Sequence, residues 1–312
     1  MLTVFGSLYT EIAMCVDAVP GEDEVVLGRD HAMRSGGKGA NQALAALRAG
    51  ARVALVGMVG DDDNGKRART DLRRAGVITS GVGVADEYAT GVACLIHEAG
   101  RQRRTIVCPG ANQLASCDQV PVEILGKNCY VLVQMATPPE ETYAVLRKAR
   151  ANGAVTILNP APAAALPEAI FDDVDYLVLN HLEAQQLSGL LGIDAEMKDA
   201  TDMAYAIAAR GQCVCSITCG VEGAVAVYPD GTGWRADAPG LNQDEPVDVS
   251  SCGDAYAGTL AACLKNGMRL DKAMNYASAA GALTCMHAAF PYWADIETFC
   301  SKLAAPEAIE LA

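Results

Sequence analysis

Aromatic side chains are scarce in this sequence: four Phe, two Trp and ten Tyr among 312 residues. Aliphatic and small side chains must therefore build the core. Histidine is scarcer still. His31, His97, His181 and His287 stand far apart and no His-Glu-x-x-His pattern occurs, so no histidine-based metal centre is expected. Basic residues are short as well, 24 against 38 acidic, for a formal net charge of −14. A surface that acidic excludes a general nucleic-acid binder or a binder of anionic membranes. Met1 to Ser7 lacks a basic n-region and is too short for an apolar h-region, so a cytoplasmic protein is expected. Long apolar runs are absent too. The longest stretch without Asp, Glu, Lys or Arg, Ala273 to Ala294, contains Asn275, Tyr276, Ser278, His287 and Pro291 and reads as a buried helix rather than a membrane span.

Cysteine, by contrast, is abundant, at twelve. The thiols are spread through a long chain, so a reducing compartment is the expectation and disulfides are not. Cys213, Cys215 and Cys219 form the densest group. Without a second close pair they read as buried thiols, with Cys213 and Cys215 on one face of a strand.

Hydrophobic residues make up 51% and charged residues 20%, enough for a full core. At about 150 residues per domain, the length suits one large domain with a small appendage, taken here as one domain over 1–312. Short apolar runs at Thr3–Phe5, Val53–Val59, Tyr130–Val133, Val155–Leu158, Tyr176–Leu179, Cys213–Thr218 and Ala224–Tyr228 predict strands buried on both faces. Helices are predicted over Gly39–Ala49, Gly65–Ala75, Glu140–Ala151, Asp199–Arg210 and Ala255–Asn266, each ending at or near a glycine. Strand-then-helix repetition implies a doubly wound, mostly parallel α/β sheet. Two segments, about 9–34 and 88–108, alternate without a helix. The second reads as a hairpin, and together they predict a small β-sheet lid.

Four motifs carry candidate chemistry. Gly36-Gly37-Lys38-Gly39-Ala40-Asn41 precedes a helix and lets backbone approach a ligand, with Lys38 and Asn41 adding polar groups. Asp248-Val-Ser-Ser251-Cys252-Gly253-Asp254 presents successive N–H groups at a helix N-terminus, an anion hole, with Asp254 beside it as a proton acceptor. Ser251-x-x-Asp254 is equally a capping box. Asn180-His-Leu-Glu183 follows a strand; its oxygens suit Mg²⁺, directly or through water, but it too has capping-box spacing. Thr218-Cys-Gly220-Val-Glu-Gly223 is a glycine turn, either a simple connection or a loop that contacts a nucleotide.

Taken in this order, the motifs resemble the carbohydrate kinase family that includes ribokinase, fructokinase and adenosine kinase. The likeness runs from Gly6-Ser7 to about Phe299. It rests on Gly36-Gly-Lys-Gly-Ala-Asn-Gln-Ala43, on Gly50, Gly60-Asp-Asp and Gly65, and on Asp248 to Asp254. Pro109-Gly-Ala-Asn112, Leu158-Asn-Pro-Ala-Pro162 and Asn180-x-x-Glu183 are most similar to the ribokinase branch.

The resemblance implies a three-layer α/β/α sandwich with a β-sheet lid, homodimerisation through that lid, and ATP-dependent phosphorylation of a primary alcohol on a sugar or nucleoside. It implies that Asp254 is the general base and that Ser251, Cys252 and Gly253 form the anion hole. Glu11, Gly37, Lys38 and Asn41 fall at sugar-contacting positions. Asn180 and Glu183 match the motif that organises Mg²⁺ and phosphate. Thr218, Gly220, Gly223 and Ser278 match nucleotide-contacting positions, and Asp248 a monovalent-cation ligand; activation by K⁺ stays open.

The chain departs from that pattern at several points. Glu11 replaces a usual Asp, Tyr9 a small polar residue and Ala136 a sugar-contacting Glu, so the sequence predicts poor use of ribose itself. Val249 and Cys252 also depart from the second signature, and Met286 to Pro291 lacks a common glycine. A nucleoside kinase, with Tyr9 stacked on a base, and a non-catalytic binding protein on the same fold are the alternatives.

Overall fold

The structure is a computed structural model and describes residues 1–98, 103–163, 166–193, 197, 199–237 and 251–311. In chain order, β1 (Leu2–Phe5), β2 (Tyr9–Val16) and β3 (Asp30–Gly36) precede α1 (Lys38–Arg48), β4 (Val53–Gly60) and α2 (Asp63–Ala75). Next come β5 (Ile78–Ala85), β6 (Gly91–Glu98), β7 (Arg103–Cys108), β8 (Tyr130–Gln134), α3 (Pro139–Ala151), β9 (Val155–Asn159), β10 (Tyr176–Asn180) and α4 (His181–Leu190). The last part holds α5 (Ala200–Gly211), β11 (Val214–Thr218), β12 (Ala224–Val227), β13 (Thr232–Ala236), α6 (Cys252–Lys265), α7 (Leu270–His287), α8 (Trp293–Cys300) and β14 (Glu307–Glu310).

Ten strands form one sheet in the order β14-β13-β12-β11-β10-β9-β8-β1-β4-β5. The seven strands from β11 to β5 run parallel, and β12, β13 and β14 add antiparallel at one edge. Alternate residues of each inner strand feed two separate cores. Leu2, Val4, Val53, Leu55 and Leu132 point to the side of α1, α6 and α7, whereas Phe5, Val56, Val131 and Val133 point to the side of α3 and α5. Both faces are thus covered, which is why these strands read as unbroken apolar runs. Each fully buried large aliphatic side chain contributes about 1.5–3 kcal/mol, so a one-residue slip of any inner strand is strongly opposed.

The predicted α/β sandwich is present, and so is the small second sheet. It has the order β3-β2-β6-β7, with β6 and β7 as an antiparallel hairpin and β2 parallel to β6.

With few aromatics available, the helices on the first face pack by contact between small residues. A Cβ on Gly258 of α6 would lie 2.4 Å from the Gln42 carbonyl oxygen of α1, and one on Gly39 would lie 2.5 Å from the Gly6 carbonyl carbon. No other residue fits at these two contacts without backbone movement.

Several boundaries differ from expectation. The helix read from Ala255 begins three residues earlier, at Cys252, which puts Gly253 and Asp254 inside its first turn. Gly211 is the last helical residue of α5, and Gln212 takes the left-handed position after it (φ 48°). The uncharged stretch forms most of α7, which stops at Ala288 in the same left-handed region. Strands β5, β13 and β14 were not predicted. Among the described residues no helix is long and apolar enough to cross a membrane.

Candidate active site

A cavity of about 960 Å³ lies between the second sheet and the carboxyl ends of β8, β9, β10 and β11. This is the end at which open parallel sheets bind ligands. Tyr9, Glu11, Ala93, Leu95 and Val107 line it from the second sheet, and Asn159, Asn180 and Thr218 from the strand ends. Helix α6 meets the same cavity with its N-terminus, where Ser251, Cys252, Gly253 and Asp254 all contribute to the wall.

Asp254 is 5% exposed, and its carboxylate is held by several partners. Gln42 donates from Nε2 to Oδ1 at 2.9 Å and Asn41 donates from Nδ2 to Oδ2 at 3.1 Å. Lys38 Nζ stands 3.9 Å from Oδ1. All three partners come from the first turns of α1, which begins directly after the glycine pair. Burial pushes the Asp254 carboxyl above the ordinary aspartate value, opposed by the Lys38 charge and the two amides.

These bonds correct one reading of the sequence. Ser251 is the N-cap of α6, yet no side-chain capping bond forms there, so Ser251-x-x-Asp254 is not a capping box. The Asp254 side chain is drawn instead to amides 213 and 212 residues earlier in the chain. First-turn N–H groups lack a carbonyl one turn back within their own helix, and the helix dipole adds partial positive charge there. A Cβ on Gly253 would meet nothing within 4 Å, so the chain leaves open space at this turn.

The same spacing at β10 has the opposite outcome. Asn180 and Glu183 form a full capping box: Asn180 Oδ1 accepts from the Glu183 N–H at 2.8 Å, and Glu183 Oε2 accepts from the Asn180 N–H at 2.9 Å. Both residues also line the cavity. Burial raises the Glu183 pKa against the Asn180 N–H and the positive charge of Lys38, with the Asp254 charge adding to the rise.

Glu11 is buried on β2. Its Oε1 accepts from the Gly37 N–H at 3.1 Å and from Asn41 Nδ2 at 3.4 Å, while Oε2 pairs with Arg34 Nε at 2.7 Å. A Cβ on Gly36 would lie 2.2 Å from this carboxylate, and Gly37 holds φ 98°, so the glycine pair is what lets Glu11 reach α1. Tyr9 is 6% exposed, wedged between Gly37 and Gly91, with its hydroxyl donating to the Ala136 carbonyl at 3.4 Å. In this arrangement the ring packs against the second sheet and α1 rather than standing open to a base.

Thr218 and Gly220 line the far end of the cavity at the end of β11. Thr218 Oγ1 donates to the Leu179 carbonyl at 3.4 Å, and Gly220 (φ 59°) opens a tight turn closed by the Cys219 N–H on the Gly223 carbonyl at 2.7 Å. Gly223 and Ser278 do not line the cavity; Ser278 is buried on α7. Asp248 lies outside the described residues.

Two further findings were not anticipated. Cys252 and Cys285 are joined as a disulfide between α6 and α7, with Cα atoms 5.8 Å apart, where the sequence reading had expected thiols throughout. They lie 33 residues apart, and no local pattern marks them as partners. Cys213 and Cys215 do behave as expected: both are buried thiols in one core, and burial pushes Cys213 up to about 12. The second unanticipated finding is the group Gln42, Gln134 and Asn159, polar side chains buried behind Asp254. The available signal was a glutamine on the buried face of α1, amid Ala40, Ala43 and Ala46.

Comparison with known proteins agrees with this geometry. The family model described as pfkB family carbohydrate kinase matches residues 1–289. A ribokinase of Haemophilus influenzae is 28% identical over 286 residues, covering 91% of each chain. Among solved structures, ribokinase from Thermotoga maritima superposes with a TM-score of 0.86 at 24% identity, over 97% of this chain and 99% of that one. Arabidopsis thaliana ribokinase, solved with ribose and ATP, gives 0.83 at 22% identity, over 97% and 99%. With its family model matched along nearly the whole chain and its motifs gathered round one cavity, this chain belongs to the pfkB family of carbohydrate kinases.

Proposed function

We propose that the protein transfers the γ-phosphoryl group of ATP to a primary hydroxyl of a small sugar. The observation that carries this reading is the Asp254 carboxylate, held by two amide donors at the cavity-facing N-terminus of α6. In this reading Asp254 accepts the proton of the attacking hydroxyl. The N–H groups of Ser251, Cys252 and Gly253 receive the negative charge of the phosphoryl group in flight.

Glu11, Gly37, Lys38 and Asn41 hold the sugar; their convergence with Asp254 on one cavity supports this. Asn180, Thr218 and Gly220 line the cavity and are assigned to the nucleotide; Gly223 and Ser278, which do not line it, take that assignment from the family resemblance alone. A hydrated Mg²⁺ suits the donors present. Glu183 caps α4 through Oε2, and Oε1 has no hydrogen-bond partner among the described residues, which suits an ion held chiefly by phosphate oxygens and water. Asn180 and Glu183 would hold it; bound there, Mg²⁺ supplies charge neutralisation to the phosphates. Asp248 stays assigned to a monovalent cation such as K⁺.

The chain acts as one unit over 1–312, with segments 9–34 and 88–108 closing as a lid that keeps water from the phosphoryl group. Met33 and Ile106, 46% and 59% exposed on the second sheet, suit a homodimer formed through that lid. A cytoplasmic location follows from the substrates, ATP and a free sugar.

The test is an ATP-consumption assay over pentoses, hexoses and nucleosides, run beside Asp254→Asn. Turnover with a sugar that collapses in the variant supports the reading. Sugar binding without turnover of any acceptor would leave a binding protein on a kinase fold.

A further inference from the structure

Gln42 is completely buried on the inner face of α1, where a primary amide costs free energy for every hydrogen bond it leaves unmade. Its Nε2 donates twice, to Asn159 Oδ1 and to Asp254 Oδ1, both at 2.9 Å. Its Oε1 accepts from Gln134 Nε2 at 2.7 Å. Asn159 in turn donates from Nδ2 to the Val178 carbonyl of β10 at 2.8 Å.

The sense of this chain is not arbitrary. A backbone carbonyl can only accept, so Asn159 must give it the amino group and turn Oδ1 toward Gln42. Gln42 must then present its amino group to Asn159 and Asp254 and its oxygen to Gln134. Flipping either amide would break a bond at both ends. Asp254 Oδ1 therefore faces a donor whose direction is set by the main chain of β10. Its other oxygen faces the Asn41 amide. A proton on either oxygen would confront these donors, so the protonated acid has no acceptor within the network.

We propose that Gln42 is the positioning residue for the base: anchored through Asn159 to the Val178 carbonyl, it fixes the rotation of the Asp254 carboxylate and keeps it an acceptor toward the cavity. This rests on the kinase reading above, with Asp254 as base. Four secondary-structure elements meet at the amide network: α1 supplies Gln42, β8 Gln134, β9 Asn159 and α6 Asp254. The base is thus oriented by the sheet and not only by the helix that carries it. The other charged groups facing Asp254 are Lys38 of α1, Glu11 of β2 and Glu183 of α4, and none of them belongs to the amide chain.

The experiment compares wild type, Gln42→Met, Asp254→Asn and the double variant, with the best acceptor from the panel and saturating Mg·ATP. Gln42→Met should lower kcat about 10- to 100-fold, the scale of a misaligned catalytic group, while both KM values stay within about threefold. In the Asp254→Asn background the same change should lower the residual rate no further, because Gln42 acts through the carboxylate. A further loss there, or an unchanged kcat in the single variant, would overturn the proposal. Gln42→Glu keeps the size of the side chain and covers the case in which Gln42→Met does not fold. It sets a second carboxyl against Asp254, and the acidic limb of kcat/KM should move up by about one pH unit or more. An unmoved limb would also overturn it. Full activity of Asp254→Asn, or no turnover by wild type, would instead strike the kinase reading itself.

Discussion

Glu11 and Asp254, 243 positions apart in sequence, are tied together by one nitrogen: Asn41 Nδ2 reaches Glu11 Oε1 at 3.4 Å and Asp254 Oδ2 at 3.1 Å. A carboxylate of the second sheet and the carboxylate at the α6 N-terminus are thereby held around one cavity with a shared donor between them. In the proposed reading, a hydroxylated ligand held at Glu11 would lie beside the residue that also holds Asp254.

Replacing the base separates chemistry from folding. Asp254→Asn should lower kcat by about 10²-fold or more. The change also sets an amino group against the Asn41 or Gln42 amino group, since both partners donate, and a mismatch of this kind destabilises by about 1–3 kcal/mol. Circular dichroism melting should show a lower Tm with a cooperative transition. Near-normal turnover would remove Asp254 from the chemistry.

The pH dependence follows from burial. Asp254 must be ionised to take a proton, and burial raises its pKa, so kcat/KM should fall on the acid side at a pH above that of an ordinary aspartate. Lys38 is the strongest influence opposing the rise, so Lys38→Met should move the acidic limb higher. The sign for stability is opposite to that of a salt-bridged aspartate. A raised native pKa means that the native state binds the proton more readily, so this group's contribution to stability declines as pH rises from the unfolded value through the native one. Profiles recorded on both proteins check the shift; a limb that stays in place would remove Lys38 from the environment of the base.

Glu183→Gln keeps the cap, because a glutamine oxygen can still accept from the Asn180 N–H. Stability should change little, whereas the Mg²⁺ concentration for half-maximal rate should rise several-fold with the sugar KM nearly constant. A Mg²⁺ titration decides this, and a superimposable curve would leave Glu183 with the cap alone.

Specificity should follow Ala136 and Glu11. Ala136 offers no carboxylate to the cavity, and Glu11 is already engaged by Arg34, Gly37 and Asn41. The wild-type protein should therefore phosphorylate ribose poorly, and Glu11→Asp with Ala136→Glu should raise kcat/KM for ribose relative to the best panel substrate. Efficient ribose use by the unmodified protein would refute the link between these positions and substrate choice.

How far the sequence reveals such a site is clearest at its two boxes of equal spacing. Asn180-x-x-Glu183 closes locally because, among the described residues, no distant side chain hydrogen-bonds to either member. Ser251-x-x-Asp254 does not, because α1 brings two amides and an ammonium group to the aspartate. A pattern within four residues carries no record of that competition. The inner strands are legible because burial on both faces leaves only apolar side chains. Strand β14, Glu307–Glu310, is not, since it is mostly exposed and becomes a strand by pairing with β13. Strand β5 is broken up by Gly81 and Gly83, which accommodate Val56 and Met58 of β4.

The seat of Gly258 on the Gln42 carbonyl leaves no clearance between α1 and α6. The two helices cannot slide past one another without lifting apart, so Lys38, Asn41, Gln42 and Asp254 travel as one rigid block. If the second sheet closes as the proposed lid, its movement relative to this block, to which β3 connects through Gly37, is what admits substrate and releases product. An inhibitor that wedges the second sheet open should therefore slow turnover while the constellation around Asp254 keeps its ligand-free arrangement.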